Sequence, residues 1–261
     1  MIDLSIVIVS FNARVDLERC LDSLRSSPLS VSHEIVVVDN QSSDGSADAA
    51  AKRAGVRVIR LNENAGFARA TNVGIRASSG ENLLLLNSDT LVPAGAIDRL
   101  LAELRRDPDV AIVGPRLIDA SGRPELSYGR TLGPFNELRQ KIRRRRPALV
   151  DRLTRRRHSP DWVSGACLLV RRADAEAVGL LDERFFMYAE DVDFCAAIKA
   201  RGRRIVFTPD VEIVHLRGRS VAAAPAATQA AYRRSQVAFY EKHRPCWVPL
   251  LKLYLKLRGQ V

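Results

Sequence analysis

Four consecutive leucines, Leu83-Leu84-Leu85-Leu86, run straight into Asn87-Ser88-Asp89-Thr90. So dense an apolar run, cut off by small polar residues, reads as a strand buried on both faces of a parallel sheet. Ligands of open α/β sheets sit beyond the carboxyl ends of the strands. Asp89 therefore arrives where a ligand is held. Its carboxylate suits a hard divalent cation, which takes oxygen ligands and bridges to phosphates. A plain polar turn, with Asp89 capping the next helix, accounts for the same residues. The rest of the chain decides between the two.

Similar strands lie on either side. Residues 4–9, 34–38 and 57–61 are rich in β-branched residues and precede segments with helical spacing at 15–24, 46–54 and 66–77. A further helix is expected over 93–106, with Pro93 in its first turn, and a fifth strand over 110–114. This alternation predicts an α/β fold, a mostly parallel, Rossmann-like sheet flanked by helices. After Gly114 the rhythm breaks. Residues 116–134 read as loop, 139–157 as helix on either side of Pro147, and 162–170 as one strand. A helix is expected over 192–200, strands at 204–207 and 211–215, an Ala-rich connector at 221–227, and two C-terminal helices divided near Pro245.

The formal net charge of +11 is concentrated. Residues 139–157 hold ten Lys/Arg against one acid, and 233–261 hold seven against one, so the remaining body is mildly acidic. That pattern points to two local anionic contacts and away from a chain coated by nucleic acid. No aromatic residue interleaves with Arg143-Arg144-Arg145-Arg146, so a single-strand stacking platform is missing and no nucleic-acid partner is expected. The four cysteines lack metal-ligand spacing and fit a reducing compartment. No signal-peptide pattern and no apolar run of about eighteen residues is present. A cytoplasmic location is expected.

Three strand ends carry acids or amides: Asp39-Asn40, Asn62-Glu63-Asn64 and Asn87-Ser88-Asp89. The first strand ends on Ser10-Phe11-Asn12, without the glycines of a dinucleotide fingerprint, and no P-loop is present. A bound nucleotide would be held by side chains. Asp39 is suited to accept the N–H of a pyrimidine base, and equally suited to form a turn.

These pieces, with Asn64-Ala65-Gly66-Phe67, Asn72-Val73-Gly74, Ser164-Gly165-Ala166, Tyr188-Ala189-Glu190-Asp191-Val192-Asp193 and His215, run in one order over residues 4–220. In that order the chain resembles a family 2 glycosyltransferase of the GT-A fold, in the rhamnosyltransferase-like group. The resemblance implies a nucleotide-sugar donor, a divalent cation (Mg²⁺ or Mn²⁺) and inversion at the anomeric carbon. It implies donor contacts from Ser10, Asn12, Asp39, Asn40, Ser42, Asn64, Gly66, Phe67, Asn72, Asn87 and Ser88. It places the metal at Asp89 and His215, acceptor contacts at Trp162, Ser164, Gly165 and Glu190, and the general base at Asp191. The metal motif of the family is usually Asp-x-Asp, and Asn87 stands at its first position here. One negative charge is lost, so a second protein ligand becomes useful, and His215 matches such a ligand in placement. Taken alone, His215 is also a strand-end histidine with no ligand, and the acids at 190–193 also suit a helix N-terminus.

The expected organisation is a nucleotide-sugar half over 1–114, an acceptor half over 115–220 and a helical extension over 221–261. The donor expected is dTDP-rhamnose, with a UDP- or GDP-sugar as the alternative and a non-catalytic saccharide-binding protein as another. The acceptor expected is a saccharide or lipid-linked saccharide. Residues 245–261 mix Trp247, Tyr254 and leucines with Lys252, Lys256 and Arg258, a pattern for peripheral contact with an anionic membrane. In that reading 139–157 adds a purely electrostatic attachment. Packing on the domain, or a subunit contact, accounts equally for the last helix, and no oligomeric state is specified.

Overall fold

In the computed structural model, which describes residues 2–216 and 225–259, the leucine run is the middle of the molecule. Leu83 and Leu85 face one apolar cluster and Leu84 and Leu86 the other, so the strand is buried on both sides. Each such side chain contributes about 1.5–3 kcal/mol through burial. The first half alternates as β1 (Leu4–Ser10), α1 (Arg14–Arg25), β2 (His33–Asp39), α2 (Ser46–Ala51), β3 (Val56–Arg60), α3 (Phe67–Arg76) and β4 (Asn82–Asn87). β5 (Thr90–Leu91), α4 (Ala96–Arg105) and β6 (Val110–Ile118) follow. The second half contains β7 (Tyr128–Gly129), α5 (Pro134–Arg144), α6 (Pro147–Leu153), β8 (Trp162–Val163) and β9 (Cys167–Arg171). Then come α7 (Arg172–Ala177), α8 (Glu190–Ala200) and β10 (Arg204–His215). The C-terminal helices are α9 (Pro225–His243) and, after a 3-10 turn at Pro245–Trp247, α10 (Val248–Leu257).

Eight strands form one sheet in the order β3-β2-β1-β4-β9-β6-β10-β5. β3, β2, β1 and β4 are mutually parallel, and β6 is parallel to β10. The expected mostly parallel sheet is present, with one difference inside it: β9 runs antiparallel between β4 and β6. The expected strand 162–170 is broken at Ser164-Gly165-Ala166, which lets Trp162 and Val163 leave the sheet and pair with β7. Gly114 permits the departure, because a Cβ there would meet the Val163 side chain at 2.5 Å. The expected strands at 204–207 and 211–215 are one irregular strand, β10.

Helix α8 begins at Glu190 rather than Val192, which puts Asp191 in its first turn. It is entered through two consecutive left-handed residues, Tyr188 (φ 71°) and Ala189 (φ 64°). Neither is glycine, so the turn holds strain on the order of 1–3 kcal/mol per residue, balanced by the packing around it. Helix α9 clamps α8 from outside: Lys242 Nζ and His243 Nε2 lie 2.8 and 2.6 Å from the two carboxylate oxygens of the buried Asp193. The Ala-rich tract starts at residues 221–224, which lie outside the described residues. Among the described residues no helix is long and apolar enough to cross a membrane.

Candidate active site

β1 and β2 end side by side, with Ser10 paired to Asp39 in register. Asp39 is buried, and its Oδ2 accepts the Ser42 N–H at 3.0 Å while its Oδ1 has no partner. The buried Ser10 hydroxyl is also without a partner. Buried polar atoms left unsatisfied are uncommon, and two of them side by side at the strand ends are free to bond a ligand. Around them the loops are tied to each other. Asn12 (φ 48°) receives the Ser43 N–H at 2.8 Å and donates its own N–H to Ser42 Oγ at 2.9 Å.

The side chain of Asn40 is committed to the neighbouring loop. It donates to Asn64 Oδ1 at 2.8 Å and accepts the Ala65 N–H at 2.8 Å. Gly66 is left-handed (φ 82°), and a Cβ there would stand 2.6 Å from the Phe186 carbonyl oxygen. That same carbonyl accepts the Phe67 N–H at 2.6 Å, so the 64–67 loop is pinned to the segment leading into α8. Asn72 sits apart from this group. Its amide is spent on Leu181 and Glu183, beside a cavity of about 360 Å³ that none of the strand-end acids lines.

Strand β4 delivers Asn87, Ser88 and Asp89 in a tight turn, with the Thr90 hydroxyl donating to the Asn87 carbonyl at 2.8 Å. β5 then pairs with the end of β10, setting His215 opposite Thr90, and the Leu216 N–H reaches the Asp89 carbonyl at 2.8 Å. His215 Nε2 thereby lies 3.3 Å from Asp89 Oδ1, while Nδ1 lies 3.3 Å from Glu125 Oε2. Burial works against the charged imidazole, but hydrogen bonds to Asp89 and Glu125 outweigh it and raise the pKa to about 9. A carboxylate behind the second ring nitrogen is the usual support of a metal-bound histidine. Among the described residues no group of three or more His, Cys, Asp and Glu side chains could hold a cation. Asp89 and His215 thus offer a partial set of ligands. That fits a cation of the Mg²⁺ or Mn²⁺ type, which keeps positions for water and substrate phosphates.

The loop Ser164-Gly165-Ala166 joins this turn to α8. The Asn87 N–H donates to the Ala166 carbonyl at 3.0 Å, and the Gly165 N–H donates to Asp191 Oδ2 at 3.0 Å. Asp191 Oδ1 also accepts the Val192 N–H at 2.8 Å. Burial raises the Asp191 pKa, against those backbone donors and the charge of Arg144. Glu190 is buried with an unpartnered Oε2, and burial together with the Asp191 charge pushes it up to about 8. With Glu190 held at about 8, the pair keeps a proton at neutral pH. Trp162 is buried, and its indole donates to the Arg130 carbonyl at 2.9 Å. Ser164 donates its N–H to the Ser127 carbonyl at 2.8 Å, and Ser88 is half-buried on the turn.

Residues 5–178 match the family model described as glycosyl transferase family 2. The chain belongs to glycosyl transferase family 2. A family member from Mycobacterium tuberculosis, N-acetylglucosaminyl-diphospho-decaprenol L-rhamnosyltransferase, is 32% identical over 97% of this chain and 89% of its own length. The dTDP-rhamnosyl transferase RfbF of Shigella flexneri is 28% identical over 81% of this chain and 68% of its own. Among solved structures, the mannosyltransferase PcManGT of Pyrobaculum calidifontis, in complex with GDP-Man and Mn²⁺, superposes with a TM-score of 0.65 at 20% identity, covering 97% of this chain and 70% of that one. GalNAc-T7 with UDP, GalNAc and Mn²⁺ also gives 0.65, at 18% identity over 92% of this chain and 50% of that one. The fold is GT-A. Two site residues of this family member escaped the sequence reading. Glu125 sits in an irregular stretch without periodicity, and Arg144 is one arginine within a run of four.

Proposed function

We propose that this family 2 enzyme is a metal-dependent, inverting rhamnosyltransferase that moves L-rhamnose from dTDP-rhamnose to a saccharide or lipid-linked saccharide. The observation that carries the reading is the 164–166 loop, whose two 3.0 Å hydrogen bonds tie the Asp89 turn and Asp191 to one short segment. Inverting transfer requires a base on the acceptor hydroxyl and charge stabilisation on the leaving diphosphate, on opposite sides of the sugar. Asp191 takes the acceptor proton. Its raised pKa makes it a better acceptor than an ordinary aspartate. Its two backbone donors fix its aim. Asp89 and His215 would hold the cation, which when bound supplies Lewis-acid stabilisation of the departing diphosphate. Glu190, protonated at neutral pH, keeps a second charge out of the acceptor side of the cleft and offers a donor to an acceptor oxygen.

The donor reading is supported by the names of the two rhamnosyltransferase relatives and by Asp39. With Oδ2 engaged by Ser42, a single acceptor, Oδ1, is left for the base. Thymine and uracil present one N–H on their pairing edge, whereas guanine presents two adjacent donors that call for both oxygens. Asn40, Asn64 and Gly66 shape the loop beside the base, and Ser10, Asn12, Ser42, Phe67, Asn87 and Ser88 line the path from base to diphosphate. Trp162, Ser164 and Gly165 form the acceptor wall, the first two through backbone they hold in place. The test is donor turnover with dTDP-rhamnose, UDP-glucose and GDP-mannose, without acceptor and with EDTA or Mn²⁺. Turnover of dTDP-rhamnose that EDTA and Asp89→Ala both abolish is expected. Preference for the GDP-sugar, or full turnover in EDTA, refutes the donor or the metal half of the proposal.

A further inference from the structure

We propose that α5 and α10 together form a docking surface for an anionic phospholipid bilayer. Ten large apolar side chains are exposed among the described residues, and seven of them lie on these two helices. On α5 they are Phe135, Leu138 and Ile142, spaced to form one stripe, and the helix has no buried residue. On α10 they are Leu250, Leu253, Tyr254 and Leu257, again one stripe, while Leu251 and Leu255 on the next face are buried. The two helices come together through Phe135 of α5, whose ring packs edge to face on Trp247 of the 3-10 turn just before α10, with centroids 6.4 Å apart. Two such exposed apolar stripes, joined at one ring contact, call for something to cover them.

Charge identifies the cover. Residues 139–146 contain six Lys/Arg and no acid, and α10 with its C-cap contributes Lys252, Lys256 and Arg258, again without an acid. A second copy docked on this face would bring the same cations together. A nucleic acid would satisfy the arginines and leave the leucines in water. An anionic bilayer takes both, the stripes into the headgroup boundary and the cations among lipid phosphates. The sequence reading gave 139–157 an electrostatic part alone, and the α5 stripe adds an apolar one.

The surface is fixed relative to the chemistry. The charge of Arg144, on α5, acts on Asp191. Glu137 of α5 accepts from Tyr240 of α9 at 2.6 Å, and α9 holds Asp193. Docking would thus hold the acceptor side of the cleft next to the bilayer, a use that rests on the lipid-linked acceptor proposed above.

The experiment is flotation of the full chain with phosphatidylcholine vesicles, with and without phosphatidylglycerol, at low and high salt. Binding only to the anionic vesicles is expected, partly resistant to salt. Arg145→Ser with Arg146→Ser should weaken it about 25-fold, about fivefold per charge. Leu253→Ser with Leu257→Ser should abolish the salt-resistant fraction. Both pairs are exposed, so the fold is kept. Equal binding to both vesicle types, no binding, or a dimer in sedimentation that the leucine variants dissociate would overturn the proposal. Vesicle-free turnover of dTDP-rhamnose is measured in parallel. Turnover without flotation removes the docking surface alone, and flotation without turnover removes the rhamnosyl reading alone.

Discussion

Glu190→Gln should make the protein more stable at alkaline pH. In the native chain burial and the neighbouring Asp191 charge hold Glu190 at about 8, against 4.5 in the unfolded chain. Between those two values the native state keeps a proton that the unfolded state releases. Stability therefore falls as pH rises through this window, by about 1.4 kcal/mol per unit. Over the whole window the loss reaches about 5 kcal/mol, a large share of the 5–15 kcal/mol typical of a domain. Glutamine has the same shape and no proton to lose, so this slope vanishes. Urea unfolding followed by far-UV circular dichroism at pH 5, 7 and 9 measures it. The two proteins should differ little at pH 5, and the variant should be ahead by several kcal/mol at pH 9. Curves that stay parallel from pH 5 to 9 would mean that Glu190 is ionised in the native state, and the single-charge description of the pair would be wrong.

Asp191→Asn keeps shape and removes proton acceptance, so transfer should fall on the order of 10²- to 10⁴-fold while calorimetric affinity for dTDP is unchanged; equal losses in both would make Asp191 a binding residue. Asp39→Ala should weaken dTDP about 10- to 100-fold, the worth of one hydrogen bond to a charged group, with kcat little changed at saturating donor. Metal affinity should rise with pH towards about 9, because a cation on His215 must displace a proton that Asp89 and Glu125 hold there. Manganese titration by electron paramagnetic resonance at pH 6, 7 and 8 should show about a tenfold gain per unit, and His215→Ala should flatten it; an unaltered slope in that variant would place the proton elsewhere.

The strand ends were legible in the sequence because burial on both faces writes itself into composition. A run such as Leu83 to Leu86 leaves little choice, and the polar residues that stop it mark the edge of the sheet. Direction was not legible. β9 is as apolar as β4, and a strand buried on both faces reads the same whichever way it runs. The break at 164–166 was also hidden, since the space that admits Val163 lies above Gly114, a residue fifty positions upstream. Amide roles were the hardest to read. Asn40 and Asn72 look alike in a motif, yet one ties the loop at Asn64 and the other grips Leu181 far from the strand-end acids. Only the neighbours brought by the fold distinguish an asparagine that meets a ligand from one that meets its own backbone.

The grip of Lys242 and His243 on Asp193 has a consequence for shortening the gene. Nothing assigned to chemistry lies beyond His215, so trimming the final twenty residues looks harmless on a map of the site. Such a trim would strip both partners, Lys242 and His243, from a buried carboxylate, and an uncompensated buried charge costs about 3–5 kcal/mol. Asp193 is two residues from Asp191, in the same helical turn. The penalty would fall on the turn that aims the base, and the loss of the buried Leu251 and Leu255 would add to it, so a shortened protein should be both slow and less stable.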